Sequence, residues 1–337
     1  MELQDVLARF PGVSCAYMDA KGRVATACYG IADQERHIPV DENTIFPVCS
    51  ISKFITAICL MKLQEQGLID IDKPANTYLR RWKLRHLDGK EGNATIRLLM
   101  CHAAGIVDGE DGFYGLRQRD AEISLLDILE GRTAYNNRPA RMEKETGTAF
   151  EYSDAGYCVL QLLVEDVMGL PFDEAAQALL FGPLGLENTF FASRKNMAEH
   201  AQRLAAGYDG EGALLPGKYP YQPDLAASAL WSTPTELLTI AREFIGAHQG
   251  RSAFLTAKSA REIAAPVEKF PWTGLGVFRR GEDTLLSQGW GENGQCMLKM
   301  NVCTGTAAVV MTNRNPEVDQ VESGVEWLVD SWMEEGN

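Results

Sequence analysis

Length, composition and charge describe an enzyme-sized globular chain and exclude several kinds of partner. Of its 337 residues, 45% are hydrophobic and 23% are charged, which is typical of a folded protein and unlike a disordered one. A formal net charge of -14 argues against nucleic acid or an anionic membrane as a partner, because both are bound through basic patches. Residues 1–14 do not have the apolar core of a secretory signal, and no run reaches the roughly 20 apolar residues of a membrane span. We therefore expect a cytoplasmic protein.

The first predicted elements are a β-hairpin and a buried helix. Residues 13–19 and 23–30 are two strand-like runs separated by Lys21-Gly22, which is a turn signal. From Ser50 onward the spacing of the apolar residues becomes helical, and it continues until Gly67. The broad apolar face of this segment predicts a helix that is largely buried.

The middle of the chain is predicted to be helical, and its end returns to strands. Helical segments are expected at residues 124–129, 155–167, 172–180 and 235–244. Strands are expected at residues 274–280, 284–289, 295–301 and 306–312, followed by an amphipathic helix over residues 318–333. Strands at both ends predict a sheet lobe of residues 1–66 and 270–337, a mostly helical lobe of residues 67–269, and an active-site cleft between them.

Ser50-Ile51-Ser52-Lys53 is the first segment that could carry chemistry. A serine at a helix start has its hydroxyl near unpaired backbone N–H groups, and a lysine three residues later lies on the same face. Ser50 and Lys53 therefore suit a nucleophile and its base, provided that the surroundings lower the pKa of the lysine from ~10.4. The alternative is structural, with Ser50 as a helix N-cap and Lys53 as a solvent-facing lysine.

Two further segments could complete a site. Tyr152-Ser153-Asp154 precedes a helical run, and a tyrosine held by a cation can act as a general base and as the acid for a leaving group. The alternative is an aromatic core residue followed by an N-capping Ser or Asp. In residues 285–290, a strand edge could offer a backbone N–H to an oxyanion, and Gly289 would let a substrate approach closely. That stretch is also compatible with an ordinary hairpin.

Taken in order, these segments resemble the serine β-lactamase and penicillin-binding-protein superfamily. The branch of class C β-lactamases, D-aminopeptidases and family VIII esterases is the most similar. Residues 44–53 resemble its nucleophile segment, residues 95–106 its "TIRHLLTHTSGL" stretch and residues 147–157 its "PGTxFxYSNxGY" box, and residues 181–189 and 230–233 add two more landmarks. The resemblance covers nearly the whole chain.

The resemblance implies an α+β fold, an antiparallel sheet flanked by helices with a large second lobe, and an acyl-enzyme mechanism. Ser50 would attack a carbonyl while Lys53 and Tyr152 handle the protons, and Tyr152 would be the base when water releases the acyl group. The N–H groups of Ser50 and Trp290 would form the oxyanion hole. The implied oxyanion and substrate-binding set is Ser50, Asp154, Ser287, Gln288, Gly289 and Trp290. No metal or organic cofactor is implied.

Two positions depart from the family pattern. Asp154 stands where the second box usually ends in Asn, and its carboxylate would keep Lys53 protonated, which favours Tyr152 as the base, or would meet a substrate ammonium group. Ser287 stands where the third box usually begins with Lys, His or Trp. A cation for a substrate carboxylate is therefore missing unless Arg279, Arg280 or Lys299 reaches the site.

The eight cysteines show no C-x-x-C pair and no zinc-ligand spacing. We expect reduced, mostly buried thiols, with a set of disulfides as the alternative. A cysteine hydrolase using Cys49 or Cys101 with His102 would lack an orienting group, and His102 is expected to be structural because it lies outside the catalytic boxes. The absence of G-x-S-x-G disfavours an α/β-hydrolase.

These features favour an intracellular serine hydrolase of the esterase, amidase or small D-peptidase type. Its partner would be a small-molecule ester, amide or lactam. The alternatives are a β-lactamase or DD-peptidase-like enzyme and a catalytically inactive member of the fold that binds a ligand. The sequence does not determine the natural substrate or the oligomeric state.

Overall fold

The computed structural model describes residues 1–110, 112–113, 123–220 and 222–335. The strands are β1 (Gly12–Met18), β2 (Val24–Asp33), β3 (Ile38–Pro39), β4 (Phe46–Cys49), β5 (Arg85–His86), β6 (Arg141–Met142), β7 (Phe190–Phe191), β8 (Leu230–Ser232), β9 (Phe278–Arg280), β10 (Thr284–Gly291), β11 (Gly294–Asn301) and β12 (Ala307–Thr312). The helices are α1 (Leu3–Leu7), α2 (Ser52–Glu65), α3 (Ile96–Met100), α4 (Leu125–Leu129), α5 (Asp154–Met168), α6 (Phe172–Ala176), α7 (Arg194–His200), α8 (Leu225–Ser228), α9 (Pro234–His248), α10 (Ala257–Ala264) and α11 (Val325–Glu335).

A seven-stranded antiparallel sheet joins the two ends of the chain. Its strand order is β3-β2-β1-β12-β11-β10-β9, so β1 lies between its hairpin partner β2 and the late strand β12. Gly22 takes a φ of 78° in the turn of the predicted hairpin, a conformation that costs glycine little. The predicted α+β fold with a large antiparallel sheet is confirmed. The lobe boundaries at residues 66 and 270 stay a prediction.

Alternating side chains of the central strands supply two cores, one on each face of the sheet. Cys15 and Tyr17 of β1 belong to the smaller core, which packs against α1 and α11. Ala16 and Met18 point to the opposite face and join the main core, which includes much of α2, α5 and α9. This alternation is the two-residue period of a strand buried on both faces. Helix α9 packs on β1 and β12, and α2 contacts α9 through the rings of Phe54 and Phe244, whose centroids are 5.1 Å apart. The main core therefore connects α2 to the sheet through α9.

Three predicted element boundaries differ from the structure. The helix predicted from Ser50 onward is α2, which begins at Ser52, two residues after Ser50. The last helix begins at Val325, because Asp319 accepts hydrogen bonds from the backbone of Val321 and Glu322 and holds the preceding residues in turns. The strand predicted over residues 274–280 is limited to β9, since Gly276 has a φ of 71° that interrupts an extended chain.

Among the residues that the structure describes, no single helix is both long and apolar enough to cross a bilayer. Helix α5 and the stretch Phe172–Phe181 reach that length and composition only when they are taken together, across a 73° bend.

Candidate active site

A strained turn at the end of β4 presents Ser50. Strand β4 pairs with β8 in a small second sheet, and Cys49, its last residue, has a φ of 47°, which is rare for a residue with a Cβ. The Ser52 hydroxyl donates to the Cys49 carbonyl at 2.6 Å and accepts from the Leu230 N–H at 3.0 Å. Ser50 therefore lies in a braced turn before α2, and Ile51 rather than Ser50 occupies the N-cap position.

Lys53 is buried beneath Ser50. Its side chain is only 3% exposed, so the alternative of a solvent-facing lysine is wrong. The Nζ atom donates to Ser50 Oγ and to the Ala227 carbonyl, both at 3.0 Å, and lies 2.6 Å from Asp154 Oδ1. Burial by itself would lower the pKa of Lys53, but the Asp154 carboxylate outweighs it and holds that pKa above its ordinary value. Lys53 is thus a protonated ammonium at neutral pH.

Tyr152 joins this pair from the N-terminal end of α5. The residue is 41% exposed. Its ring centroid nevertheless lies 4.8 Å from Lys53 Nζ, and its hydroxyl forms hydrogen bonds with Lys53 and Ser50. Burial of the hydroxyl end raises the pKa of Tyr152 more than the Lys53 ammonium lowers it. The phenol is therefore neutral at neutral pH.

His102 contacts both Tyr152 and the backbone of the next residue. Its ring stacks on the Tyr152 ring with centroids 4.3 Å apart, and its Nδ1 accepts a hydrogen bond from the Ser153 N–H at 3.1 Å. Burial, together with the Lys53 charge, lowers the pKa of His102 well below its ordinary value, so the imidazole is neutral. Burial also raises the pKa of the neighbouring Cys101 thiol to about 11. Neither property suits a cysteine–histidine hydrolase.

Two carboxyl groups that the sequence did not single out, one partly buried and one fully buried, lie close to Asp154. Asp108 accepts hydrogen bonds from the Ser153 hydroxyl and the Asp154 N–H, both at 2.6 Å. Asp224 is fully buried and accepts from the Tyr135 hydroxyl at 2.6 Å. Burial and the Asp154 charge raise the pKa of Asp108 to about 6 and that of Asp224 to about 7. No local pattern marks these residues, because each reaches the site through the tertiary fold.

Strand β10 forms the opposite wall. Ser287 and Gln288 line a small pocket together with Ser50, Lys53 and Tyr152. Beyond it opens a cleft of about 760 Å³ whose wall includes Ser50, Tyr152, Asp154, Gln288 and Trp290. The fold thus brings together the residues predicted for catalysis and most of those predicted for binding.

Gly289 has a structural reason besides the predicted one. A Cβ there would lie 2.2 Å from the Val48 carbonyl oxygen and 2.3 Å from Cys296 Sγ, so the absence of a side chain lets β10 approach β4 and β11. The neighbouring Trp290 is half exposed and its indole N–H donates to Asn315 Oδ1 at 2.9 Å. The glycine therefore sets the distance between β10 and the Ser50 turn, and its role in substrate approach stays a prediction.

The three cations that might have replaced the missing family cation are bound elsewhere. Arg279 donates to the carbonyls of Ala264 and Glu282. Arg280 pairs with Glu326, and Lys299 pairs with Asp330. The position of Ser287 therefore has no substitute cation from this group.

The model of the family described as beta-lactamase matches residues 3–329. The chain belongs to the beta-lactamase family. Among curated relatives of this beta-lactamase-family chain, esterase EstB of Burkholderia gladioli is 29% identical over 54% of this chain and 46% of its own length. A beta-lactamase of Providencia stuartii is 26% identical over 60% of this chain and 47% of its own length. The matched region thus spans less than half the length of these relatives.

A solved structure has the same fold over nearly the whole length of this member of the beta-lactamase family. The D-amino acid amidase of Ochrobactrum anthropi SV3, complexed with L-phenylalanine amide, superposes with a TM-score of 0.79 at 22% identity and covers 98% of this chain and 95% of that chain. At this identity the likeness establishes the fold and leaves the substrate open.

Proposed function

We propose that this protein is a serine hydrolase that forms an acyl-enzyme on Ser50 from a small ester or amide. The observation that carries the proposal is the 3.0 Å contact between Ser50 Oγ and Nζ of the buried Lys53, at the floor of a cleft of about 760 Å³. A nucleophile, a proton-handling pair and room for a substrate are the elements that acyl transfer needs. The names of the relatives, an esterase and an amidase among them, support the same reaction class.

The protonation states suggest the route of each proton in acylation. Ser50 Oγ bonds to the carbonyl carbon and its proton passes to Lys53, while Lys53 passes one of its own protons to Asp154 at 2.6 Å. The neutral Tyr152 hydroxyl then protonates the leaving group as the carbon–leaving-group bond breaks. The acyl-enzyme is left with a protonated Asp154 and a Tyr152 phenolate next to the Lys53 ammonium.

Deacylation restores the resting state. The Tyr152 phenolate takes a proton from water as the water oxygen bonds to the acyl carbon. When the bond to Ser50 Oγ breaks, Asp154 returns its proton through Lys53 to that oxygen. Every group then has its starting proton, and no metal or organic cofactor takes part in this route.

The oxyanion would be bound by the backbone N–H groups of Ser50 and Trp290. Strands β10 and β11 are joined by a two-residue loop, so Gly291 and Gly294 form the closing pair and Trp290 lies opposite Gln295. In such a hairpin the closing pair exchanges hydrogen bonds and the next pair does not. The Trp290 N–H therefore points away from β11, on the side from which a substrate would approach.

The test compares purified wild type with Ser50→Ala. We expect a fluorophosphonate probe to label wild type once, on Ser50, in intact-mass measurements, and to leave Ser50→Ala unlabelled. Hydrolysis is measured with a short-chain p-nitrophenyl ester, a chromogenic cephalosporin, and D- and L-aminoacyl p-nitroanilides. Full activity in a folded Ser50→Ala would contradict the mechanism, and an unlabelled, inactive wild type would favour a ligand-binding role instead.

A further inference from the structure

The walls of the cleft carry charge of one sign. Six of its lining residues are acidic, and no lysine or arginine is among the described residues that line it. The acidic lining residues are Asp108, Glu110, Asp154, Asp209, Glu292 and Glu317. A cleft lined by one sign of charge concentrates ligands of the opposite sign. The potential in this cleft therefore favours cations over anions.

Lys53, which lies below Ser50 in the small pocket and not in the cleft wall, does not offset this charge. It is paired with Asp154 at 2.6 Å, and it also donates to Ser50 and to the Ala227 carbonyl. An anionic substrate group would therefore have to compete with Asp154 for this ammonium. Arg279, Arg280 and Lys299 cannot help, since they bind partners elsewhere.

An independent observation is a buried carboxyl oxygen without a partner inside the wall. Asp224 is fully buried and lies behind Tyr135, which lines the cleft. One oxygen of Asp224 accepts from the Tyr135 hydroxyl, but the other has no hydrogen-bond partner among the described residues. Buried carboxylate oxygens are almost always paired. A positive charge bound in the cleft would stabilise the ionised forms of Asp108, Asp154 and Asp224.

Aromatic side chains supply another part of the lining. Phe113, Tyr135, Phe278 and Trp290 face the same cleft, and Trp290 is 48% exposed. Aromatic faces bind apolar groups and also attract cations. A ligand that combines a protonated amine with an apolar side chain fits both kinds of wall.

We propose that the cleft selects esters or amides whose acyl part carries a protonated amine and rejects those with a carboxylate in the same place. The amine lies against Asp154 and Asp108, and the apolar part of the acyl group lies along the aromatic wall. This inference rests on the proposed function, since Ser50 performs the hydrolysis in both. The same selectivity disfavours β-lactams and peptides with a free terminal carboxylate as substrates, because both carry a carboxylate.

The test uses three matched acyl groups that differ only in the charge on the α-carbon. These are phenylalanyl, 3-phenylpropionyl and benzylmalonyl, with an ammonium, a hydrogen and a carboxylate, each as the p-nitrophenyl ester and the p-nitroanilide. Rates are corrected with Ser50→Ala. We expect kcat/KM to fall in that order by at least ~5-fold per step, the factor that one interacting charge pair near a surface supplies, and the steps to shrink as salt is added.

Charge variants locate the effect. Glu110→Gln combined with Glu317→Gln should lower the ratio of kcat/KM for the ammonium over the neutral substrate several-fold. The matched control is Glu199→Gln on α7, an exposed carboxylate outside the cleft, which should leave that ratio unchanged. Circular dichroism confirms that each variant is folded.

The outcomes separate the two proposals. Equal rates for the three acyl groups, or a preference for the carboxylate, would overturn the inference alone, provided that turnover depends on Ser50. Labelling of Ser50 by the neutral fluorophosphonate without turnover of the ammonium substrates would overturn it as well. Absence of both labelling and turnover would overturn the proposed function and the inference with it.

Discussion

Lys53 and Asp154 form a buried ion pair directly below the Ser50 hydroxyl. Their 2.6 Å separation keeps Lys53 charged although the lysine side chain is 3% exposed, and burial alone would have favoured the neutral amine. In the proposed mechanism, the lysine therefore transmits a proton instead of standing ready to accept one. Asp154 decides this in that mechanism, because it supplies both the charge and the final proton acceptor.

Asp154→Asn should change how the rate depends on pH. In wild type, the pKa of Lys53 lies above its ordinary value, so Lys53 does not titrate between pH 5 and 10. Without the carboxylate, burial lowers the pKa of Lys53 into this range and kcat/KM gains an ascending limb. The measurement is kcat/KM against pH, with Asp154→Glu as the variant that keeps the charge. Superimposable profiles for wild type and Asp154→Asn would refute the role of Asp154.

Tyr152→Phe separates the hydroxyl from the ring. The phenylalanine ring can keep the stack on His102, whose centroid lies 4.3 Å away, but it cannot pass a proton. We expect kcat to fall at least ~100-fold with little change in the melting temperature. The matched control is Tyr157→Phe, because the Tyr157 hydroxyl donates to the Met100 carbonyl at 2.9 Å. That variant should lose ~1 kcal/mol of stability and keep most of its activity; the reverse pattern would contradict the assignment.

Individual residues differ in how well the sequence identifies them. Ser50 and Lys53 are neighbours on one turn, so their spacing alone predicts their contact, now seen at 3.0 Å. Asp108 lies 45 residues before Ser153, whose hydroxyl it binds, and no spacing rule reaches that far. Asp224 likewise meets Tyr135 across 89 residues. Such contacts are determined by packing, which a sequence pattern does not contain.

At the scale of the elements, the turn between β4 and α2 holds Ser50, the proposed nucleophile, in place. Cys49 takes a φ of 47°, a conformation that costs a residue with a Cβ roughly 1–2 kcal/mol. Ser52 offsets part of this cost by bonding the Cys49 carbonyl and the Leu230 N–H. The second serine of the Ser50–Lys53 segment thus braces the turn, a role that its position in the sequence does not reveal.

Gly289→Ala tests the contact between β10 and β4. The added methyl group would lie 2.2 Å from the Val48 carbonyl oxygen, so β10 must move away from the turn that bears Ser50. We expect a loss of ~1–3 kcal/mol of stability and a fall in kcat as the Trp290 N–H is displaced. The control is Gly246→Ala in α9, where the nearest atom outside the helix is 3.6 Å away; alanine favours a helix there. Unchanged kcat in Gly289→Ala would exclude β10 from the oxyanion hole.

Periodicity predicted the regular elements and missed the short ones. The hairpin of β1 and β2, the helix after Ser50 and the last three strands have long runs with a clear period, so their existence was predictable. Strands β4, β7 and β8 have two to four residues each, too few to show a period. They form only because they pair with one another, yet they carry the turn that presents Ser50.

At the scale of the whole molecule, the two ends of the chain meet in one sheet, and the helical middle packs over it. This closure places the partly buried Asp108 and the fully buried Asp224 near Asp154, and it raises the pKa of the first to about 6 and that of the second to about 7. A carboxyl group with a raised pKa binds its proton more tightly in the folded state. Its stabilising contribution is therefore complete below its unfolded pKa, 3.8, and is lost as the pH rises through the folded value.

Asp224→Asn should remove this pH dependence where it matters most. Asparagine can still accept a hydrogen bond from the Tyr135 hydroxyl, but it never ionises. In wild type, stability falls by ~1.4 kcal/mol for each pH unit over which only the unfolded state is ionised. The variant does not lose this stability. The melting temperature of Asp224→Asn relative to wild type should rise between pH 5 and 8 by several degrees. The difference between variant and wild type cancels the contribution of His102 and His248, whose lowered pKa values make stability change with pH in the opposite direction. Asp5→Asn, at an exposed carboxylate on α1, should show no such rise; a constant difference for Asp224→Asn would mean that this carboxyl group does not titrate in the folded protein.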